Sequence, residues 1–434
     1  MKDIVNIGLA GFGTVGGATY EVLKRNARDL TRRTGVAMRV TRVVCRNQQK
    51  ARARLNGDDV QLSSDWHDLV DDPSLDVVVE VMGGIEPAKS LVMAAIKAGK
   101  HVVTANKAML ATYGNEIFSA ADAKGVTVAF EASVAGGIPI IKALREGLSA
   151  NRIEWIAGII NGTSNFILST MRDTGASFDA CLAKAQELGY AEADPTFDIE
   201  GQDAAHKITI LSALAFGTPV NYGAAMIEGI SKLEAVDIRY AEELGYRIKL
   251  LGITKRTSEG VELRVHPALV PMRRLMASVE GVMNAVVVKG DAVGTVMLHG
   301  RGAGGEPTAS AVIADLCDVS RMLANGNSPV PIFGEHDQEV GWLPIEKTVS
   351  SYYLRIGVKD EPGVLADVSR VFADNAISVE SMMQKEAPVG ASGTEIVIMT
   401  HSTTEGAIRR AVRTIEALES VTSRVVLLRK EELN

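Results

Sequence analysis

Residues 4–16 read IVNIGLAGFGTVG, a short apolar run that is followed directly by the pattern G-x-G-x-x-G. In a dinucleotide-binding turn, Gly11 permits the tight bend, Gly13 lets a pyrophosphate approach the backbone, and Gly16 lets the next helix pack closely. The pattern alone is also typical of a Gly-rich turn without a ligand. Its place between a predicted strand and a predicted helix favours a dinucleotide-binding domain.

Further apolar runs predict the other strands of a parallel sheet, at residues 40–44, 76–81, 101–106 and 126–130. The run at 76–81, DVVVEV, is apolar apart from its acids, which is typical of a strand buried on both faces of a parallel sheet. The next strand ends in TANK, residues 104–107, at the carboxyl edge where such sheets bind ligands. We therefore expect Lys107 to contact a cofactor or substrate, with a surface position as the alternative.

Arg46 follows the second predicted strand, where an NAD-binding domain usually carries an acid for the ribose hydroxyls. A guanidinium cannot accept those hydrogen bonds, but it can pair with a 2′-phosphate. Arg52 and Arg54 add positive charge nearby. The predicted cofactor is therefore NADP, with NAD as the alternative. The simpler interpretation of Arg46 is a solvated residue at the end of a strand.

Residues 189–207, GYAEADPTFDIEGQDAAHK, bring several acids and one lysine to a helix predicted over residues 199–216. At about 100° per residue, Lys207 lies about 40° from Asp203 on the face of the bulky aliphatic residues. Thr209 and Ser212 are expected on the solvent side. Charged groups on an apolar face must be paired and their pKa values shift, so this lysine is a candidate acid or base. A solvated i,i+4 pair is the alternative.

The middle of the chain holds two further loops of interest. The sequence NGTSN at residues 161–165 follows a predicted strand and opens a helix. Amides and hydroxyls around Thr163 suit a carboxylate ligand, although an ordinary helix cap would use the same residues. Residues 245–300 alternate apolar and polar, which predicts an antiparallel or mixed sheet. A second Gly-rich loop, GRGAGG at 300–305, precedes a helix that we expect to return to the first domain.

Residues 325–350 are rich in Pro, Gly and Asn and predict a linker. The segments beyond them predict strands and helices in the order βαββαβ, a ferredoxin-like arrangement. The turn after the first of these strands reads DEPGVL, at residues 360–365.

Composition limits the classes of function. A net charge of −7 and a pI of about 5.7 argue against a nucleic-acid partner and favour a cytoplasmic protein that acts on small molecules. No apolar run approaches the ~18 residues of a membrane span. The cysteines Cys45, Cys181 and Cys317 fit neither a disulfide framework nor a zinc motif, and the scattered histidines argue against a transition-metal site.

Together these features resemble the homoserine dehydrogenase family over nearly the whole chain. The resemblance rests on GFGTVG at 11–16, TANK at 104–107, EASVAGGIP at 131–139, NGTSN at 161–165, and the segment 189–207, which is the most specific. The tail beyond residue 350 resembles an ACT domain. No aspartokinase domain precedes the first predicted strand, so we expect the monofunctional form.

The resemblance implies reversible NAD(P)H-dependent reduction of L-aspartate 4-semialdehyde to L-homoserine, in threonine, methionine and isoleucine biosynthesis. It implies that Lys207 exchanges a proton with the substrate oxygen and that Asp203 holds the substrate or orients this lysine. Lys107 matches the second active-site lysine of the family. Glu192 and Asp198 are implied to bind homoserine or to support its site.

The resemblance also implies two sets of ligand contacts. Cofactor contacts besides Lys107, Arg46 and the three glycines are implied at Phe12, Thr14, Val15 and Gly302. The family carries a monovalent cation, usually sodium, and its implied ligands are the carboxylate of Glu131 and the backbone oxygens of Val134, Gly136 and Ile138.

We expect an NADP-binding Rossmann domain at residues 1–130, completed by a helix near 303–325, and an α+β substrate-binding, catalytic and dimerisation domain at 131–302. A linker at 326–349 and an ACT domain at 350–434 follow. ACT domains commonly pair side by side and bind an amino acid at that interface. A homo-oligomer, dimeric or tetrameric and inhibited by L-threonine, is therefore expected.

Three other functions agree less well with this sequence. Aspartate-semialdehyde dehydrogenase requires a nucleophilic cysteine beside a base, and no cysteine here has a suggestive context. A 2-hydroxy-acid dehydrogenase with an ACT domain would use a histidine with an acid partner and NAD. A non-enzymatic sensor of NADP and an amino acid would bind the cofactor without turnover, which the intact Asp203–Lys207 arrangement disfavours.

Overall fold

The structure is a computed structural model that describes residues 2–328, 340–385 and 393–434. The predicted linker at 326–349 therefore lies partly outside the described residues. The helices are α1 (Thr14–Arg25), α2 (Ala27–Thr34), α3 (Gln48–Leu55), α4 (His67–Asp71), α5 (Ala88–Lys97), α6 (Lys107–Lys124), α7 (Ile140–Lys142), α8 (Gly162–Thr174), α9 (Phe178–Glu187), α10 (Thr196–Ile199), α11 (Gln202–Phe216), α12 (Ala235–Glu243), α13 (Gly305–Asn325), α14 (Val364–Asp374) and α15 (Glu405–Glu416).

The strands are β1 (Ile4–Ala10), β2 (Ala37–Val44), β3 (Gln61–Ser63), β4 (Val77–Glu80), β5 (His101–Thr104), β6 (Val128–Ala129), β7 (Ile153–Ile159), β8 (Met226–Ile227), β9 (Tyr246–Arg256), β10 (Val261–Pro271), β11 (Met283–Gly290), β12 (Gly294–Arg301), β13 (Val349–Val358), β14 (Val379–Gln384), β15 (Thr394–Thr400), β16 (Thr403–Thr404) and β17 (Val426–Lys430). The chain forms two compact units. The first comprises the described residues of 1–162, 203–225 and 282–339, and the second comprises those of 163–202, 226–281 and 340–434.

The first unit contains a six-stranded sheet in the order β3-β2-β1-β4-β5-β6, with every pair parallel. This order reverses direction between β1 and β4, which is the point where a doubly wound sheet leaves a crevice for a dinucleotide. The three buried valines of β4 fit a strand that is covered on both faces. The predicted Rossmann-type parallel sheet is confirmed.

Helix α13 packs against the parallel sheet although it lies far along the chain. Its residues Val312 and Leu316 belong to the same buried cluster as Ile7 and Leu9 of β1. A β-carbon on Gly305 would lie 3.2 Å from the backbone oxygen of Thr14, so the start of α13 touches the start of α1. The remaining strands of the first unit, β7, β11 and β12, form antiparallel pairs.

In the second unit, β9 and β10 form a long antiparallel pair, and β8 joins β10 in parallel. Four strands of the tail form an antiparallel sheet in the order β17-β13-β15-β14, with α14 and α15 completing βαββαβ, and the short β16 pairs with β13. The predicted ferredoxin-like ACT fold is confirmed. Its core is a separate cluster that includes Tyr352, Phe372 and Ile408.

The ACT sheet continues directly into the rest of the second unit. Strand β17 pairs in parallel with β10, with Ala268 opposite Arg429. Two hydrogen bonds, at 2.9 Å each, also tie Val261 at the start of β10 to Gly341 and Leu343, within the described part of the predicted linker. The tail is therefore continuous with β10 through backbone hydrogen bonds.

Buried arginines reinforce this connection between the ACT strands and the remainder of the second unit. Arg429 is fully buried; its guanidinium donates to Glu228 at 2.7 Å and to Glu405 at 2.9 Å. Arg355 of β13 donates to Asp237 of α12 at 2.6 Å. Buried charges are stable only when they are paired in this way.

Two details of the predicted helices are corrected by the structure. The helix expected over residues 199–216 is two elements, α10 and α11, because Gly201 adopts φ of +81° between them. Thr209 and Ser212 are completely buried and do not face solvent. Every residue of α11 from Asp203 to Ala213 is buried, so apolar periodicity could not identify a solvent face there. No helix in the described parts of the chain is long and apolar enough to cross a membrane.

Arg429→Met should lower the stability of the second unit by about 3–5 kcal/mol, because it removes a fully buried cation and leaves the buried carboxylate of Glu405 with the partly exposed Arg409 as its remaining cationic partner. Urea unfolding followed by circular dichroism measures this loss. Arg424→Met removes an exposed arginine nearby and should cost less than about 0.5 kcal/mol. Equal losses in the two variants would contradict a structural role for the buried cluster.

Candidate active site

The glycine-rich turn between β1 and α1 has the geometry of a dinucleotide-binding loop. Gly11 adopts φ of +96°, and its amide donates to Val44 at 2.8 Å. A β-carbon on Gly16 would lie 2.0 Å from the backbone oxygen of Gly11, whereas one on Gly13 would meet no atom within 4 Å. The turn is therefore closely packed beneath the helix and open at Gly13, and the predicted contacts Phe12, Thr14 and Val15 lie on it.

Two arginines are placed differently around this turn. Arg46 is exposed after the end of β2. Arg54 of α3 is closer to the turn, since its guanidinium donates to the backbone oxygen of Gly13 at 3.2 Å and to Glu21 at 2.6 Å. The sequence indicated Arg54 only as positive charge near Arg46, because the contact between Arg54 and Gly13 depends on how α3 packs across the start of α1.

The carboxylate of Asp203 lies at the centre of a buried cluster in the first unit. Its Oδ2 accepts from Lys207 at 2.6 Å and from Asn161 at 2.9 Å. Its Oδ1 lies 3.0 Å from Nζ of Lys107. Lys207 also donates to the backbone oxygen of Ile160 at 2.7 Å. The structure thus brings together all three residues predicted to be catalytic, and it adds Asn161.

Electrostatics keeps this carboxylate charged. Burial alone would raise the pKa of Asp203, but the charges of Lys207 and Lys107 and the hydrogen bonds from Lys207 and Asn161 hold it well below its usual value. Burial lowers the pKa of the adjacent His206 to about 4, so this histidine is neutral at pH 7. The cationic groups that contact Asp203 are therefore the two lysines.

The two lysines differ in their exposure. The side chain of Lys107 is 32% exposed, whereas that of Lys207 is 11% exposed. Lys107 begins α6, and the side chain of Asn106 caps this helix by accepting from the amide of Met109 at 3.1 Å. Lys107 is thus held at the carboxyl edge of β5, as the sequence predicted, and it is the lysine with the greater access to solvent.

The segment predicted to hold a monovalent cation has an uncommon backbone. Ala135 and Gly136 both adopt positive φ, 55° and 50°, which is rare for alanine. The carboxylate of Glu131 accepts from the backbone amides of Ile141 and Lys142 at 2.9 and 2.8 Å. The ligands that the resemblance implies, one carboxylate and three backbone carbonyls, are all oxygen atoms, which is the donor type that suits a hard cation.

Gly302 contacts this segment through its backbone. A β-carbon on Gly136 would lie 2.4 Å from the backbone oxygen of Gly302, and Gly137 donates to Arg301 at 3.1 Å. A β-carbon on Gly302 would lie 1.8 Å from the side-chain nitrogen of Asn284. The predicted cofactor contact at Gly302 and the predicted cation ligand at Gly136 are therefore neighbours, which their separation in the sequence did not indicate.

The other predicted substrate residues belong to the second unit. The hydroxyl of Thr163 lies 2.7 Å from the backbone oxygen of Tyr190 and 3.3 Å from a carboxylate oxygen of Asp198. Ser164 donates to the backbone oxygen of Asp198 at 3.0 Å. Glu192 is exposed. Two hydroxyl groups at the start of α8 thus contact Asp198. An ordinary helix start with hydroxyl side chains would make contacts of the same kind.

The cysteines do not provide a nucleophile. Burial raises the pKa of Cys45, Cys181 and Cys317, which keeps each of them a thiol at pH 7. A nucleophilic cysteine needs the opposite shift. This argues against the chemistry of aspartate-semialdehyde dehydrogenase.

Comparisons with known families and proteins agree on one assignment. A family model described as homoserine dehydrogenase matches residues 139–317, and one for the NAD-binding domain of homoserine dehydrogenase matches residues 11–131. An ACT domain model matches residues 352–420. A homoserine dehydrogenase of Pseudomonas aeruginosa is 53% identical over an alignment of 434 positions, which covers 99% of this chain and 99% of that protein.

Solved structures give the same result. The crystal structure of a homoserine dehydrogenase from Thiobacillus denitrificans has a TM-score of 0.94 and 57% identity, and covers 99% of both chains. A hyperthermophilic archaeal homoserine dehydrogenase in complex with NADPH has a TM-score of 0.63 and 29% identity, and covers 73% of this chain and 98% of its own.

Gly13→Ala and Gly16→Ala should separate cofactor binding from folding. The β-carbon at Gly13 meets no protein atom, so this variant should fold normally and bind the dinucleotide at least about tenfold more weakly, because the pyrophosphate needs that space. The β-carbon at Gly16 collides with backbone, so that variant should also lose thermal stability. Fluorescence titration with NADPH and a melting curve measure both effects. A Gly13→Ala protein with unchanged affinity would contradict the assignment of the loop.

Proposed function

Because the chain belongs to the homoserine dehydrogenase family and has its NAD(P)-linked oxidoreductase activity, we propose how its own residues interconvert L-homoserine and L-aspartate 4-semialdehyde. In the oxidation of homoserine, the C4 hydroxyl loses its proton and C4 loses a hydride. The bound dinucleotide supplies the hydride acceptor, or the donor in reverse. The protein must therefore bind a small zwitterion, move one proton at the C4 oxygen and hold the charges that result.

We assign the transfer of the proton at the C4 oxygen to Lys207. Its amine and that of Lys107 contact opposite oxygens of the same buried carboxylate, and this shared contact is the observation that supports the proposal. In the reduction, the Lys207 ammonium gives a proton to the aldehyde oxygen as the hydride reaches C4. Asp203 remains ionised throughout; it stabilises the ammonium form of Lys207 before the transfer and favours reprotonation of the neutral amine afterwards. Lys107, the more exposed amine, contacts the substrate or nicotinamide.

The polar ends of the substrate need complementary groups. We assign the α-ammonium to the carboxylates of Glu192 and Asp198, and the α-carboxylate to the amides at the helix start near Thr163. These assignments rest on the family resemblance and on charge complementarity. The cation, sodium by resemblance, is assigned to Glu131, Val134, Gly136 and Ile138.

The preferred cofactor is proposed to be NADP. Arg46 is exposed beyond β2, where it can reach a 2′-phosphate, and Arg54 adds a second guanidinium beside the loop. A related archaeal enzyme was solved in complex with NADPH. A cytoplasmic location is proposed from the composition.

The ACT domain is proposed to sense L-threonine in a homo-oligomer. Its strands share backbone bonds and buried ion pairs with the rest of the second unit, so a change in the ACT sheet acts on β10 and α12 directly. Allosteric inhibition requires that the effector bind two states with different affinity.

Lys207→Ala should lower kcat for NADP-dependent oxidation of L-homoserine by about 10²–10⁴-fold, the usual contribution of a general acid or base. The affinity for NADPH should change little. Reduction of NADP followed at 340 nm measures the rate, and Lys124→Ala, which removes an exposed lysine of α6, is the matched control. If kcat of the Lys207→Ala enzyme stays within about threefold of the wild-type value, Lys107 becomes the candidate for the proton transfer instead.

Arg46→Ala should raise the KM for NADP by roughly tenfold or more and leave the KM for NAD nearly unchanged. A lost charged hydrogen bond to the 2′-phosphate costs about 1.5–3 kcal/mol, which corresponds to this change. Arg52→Ala removes another exposed arginine of the same region and serves as the control. Equal losses with the two cofactors would show that Arg46 has only a structural role.

Millimolar L-threonine should inhibit the full-length enzyme, with a coupling of about 1–3 kcal/mol between effector and substrate, or about 5–150-fold in affinity. Steady-state rates with and without threonine measure the inhibition, and calorimetry measures binding; L-serine is the control ligand. If neither inhibition nor threonine binding is observed, the sensing role is wrong.

A further inference from the structure

One buried acid has no part in the proposed chemistry. Glu80, the last residue of β4 and the acid within the otherwise apolar DVVVEV run, is completely buried. Burying a carboxylate is costly unless its oxygens accept hydrogen bonds. Here one oxygen accepts from the amide of Met82 at 2.8 Å, and the other accepts from the hydroxyl of Thr104 at 2.6 Å.

The hydroxyl of Thr104 connects Glu80 to the residues that follow β5. Thr104 is the last residue of β5, and its oxygen also accepts from the amide of Asn106 at 3.1 Å. The side chain of Asn106 donates to the backbone oxygen of Gly84 at 2.6 Å and caps α6 through Met109. Glu80 thus joins the turns that follow two adjacent strands.

The residue directly after Asn106 is Lys107, the first residue of α6. Its amine lies 3.0 Å from Asp203. The direction in which this side chain leaves the helix depends on the first turn of α6, and that turn is anchored by Asn106. A shift of about 1 Å in a reacting group can cost 10²-fold in rate.

We propose that Glu80 is a positioning residue that acts through Thr104 and Asn106 to hold Lys107 against Asp203. An ionised carboxylate can accept at both oxygens, whereas a glutamine can accept at only one of them. Glu80→Gln therefore either sets its NH2 against the amide of Met82 or reverses the hydrogen bond with Thr104, whose hydroxyl would then accept from glutamine as well as from Asn106, although the volume of the side chain is nearly unchanged. The role of this network in turnover rests on the proposed function of Lys107.

The test compares Glu80→Gln and Thr104→Val with Lys107→Ala and with the double variants. Either network variant should lower kcat about 10- to 100-fold while the affinity for NADPH stays within about threefold of wild type. Thr104→Ser keeps the hydroxyl and should restore most of the rate. Glu86→Gln, at an exposed acid that contacts Ser90, is the matched control. Thr104→Val tests the same network if Glu80→Gln does not fold.

A double-mutant cycle decides whether the effect passes through Lys107. Combining Glu80→Gln with Lys107→Ala should give the same kcat as Lys107→Ala alone. Losses that multiply would overturn the proposal, because they would show that Glu80 acts elsewhere.

A second readout does not depend on turnover. Reductive methylation of Lys107, followed by peptide mass spectrometry, should be several-fold faster in Glu80→Gln and Thr104→Val than in wild type or Glu86→Gln. If methylation accelerates but Lys107→Ala leaves kcat unchanged, the positioning role stands and the proposed function of Lys107 is wrong. If methylation of Lys107 is unchanged in both network variants, the positioning role is wrong.

Discussion

The charge on Asp203 is the interaction on which the candidate site depends. This carboxylate is buried, and burial alone would raise its pKa and disfavour its charged form. Two ammonium groups and the amide of Asn161 stabilise its charged form, and its charge in turn keeps the two lysines close together. A neutral group at this position could not hold two cations in a region of low dielectric. Both lysines contact this one carboxylate, and the Glu80 network is proposed to hold Lys107 against it.

A second set of buried charges organises the tail. Arg429 and Arg355 lie on ACT strands, and their partners Glu228 and Asp237 belong to earlier segments of the same unit. The ACT domain is therefore not an appendage on a linker. Removing it would uncover the edge of β10 and leave these acids unpaired, so its regulatory part is best studied in the full chain.

Local rules were sufficient where the relevant contacts are local. The strand–turn–helix at Gly11 to Gly16 was predicted from the spacing of its glycines between an apolar run and a helical stretch, a pattern that is local in the chain. The Asp203–Lys207 pair was predicted from helical periodicity, since both residues lie on one helix face. Periodicity failed for Thr209 and Ser212 because every residue of α11 around them is buried, and a stretch of helix without a solvent face has no polar stripe to detect.

The sequence by itself determined the order of the elements, the parallel and ferredoxin-like sheets, and the residue types at the candidate site. Those properties follow from periodicity, glycine placement and charge, which are local in the chain. Only the tertiary structure decided that Asn161 and Lys107 meet the same carboxylate as Lys207, that Arg54 lies against Gly13, and that Glu80 anchors the start of α6. Each of these contacts joins residues that are far apart along the chain, and their distances depend on how the strands and helices pack, which no local pattern records.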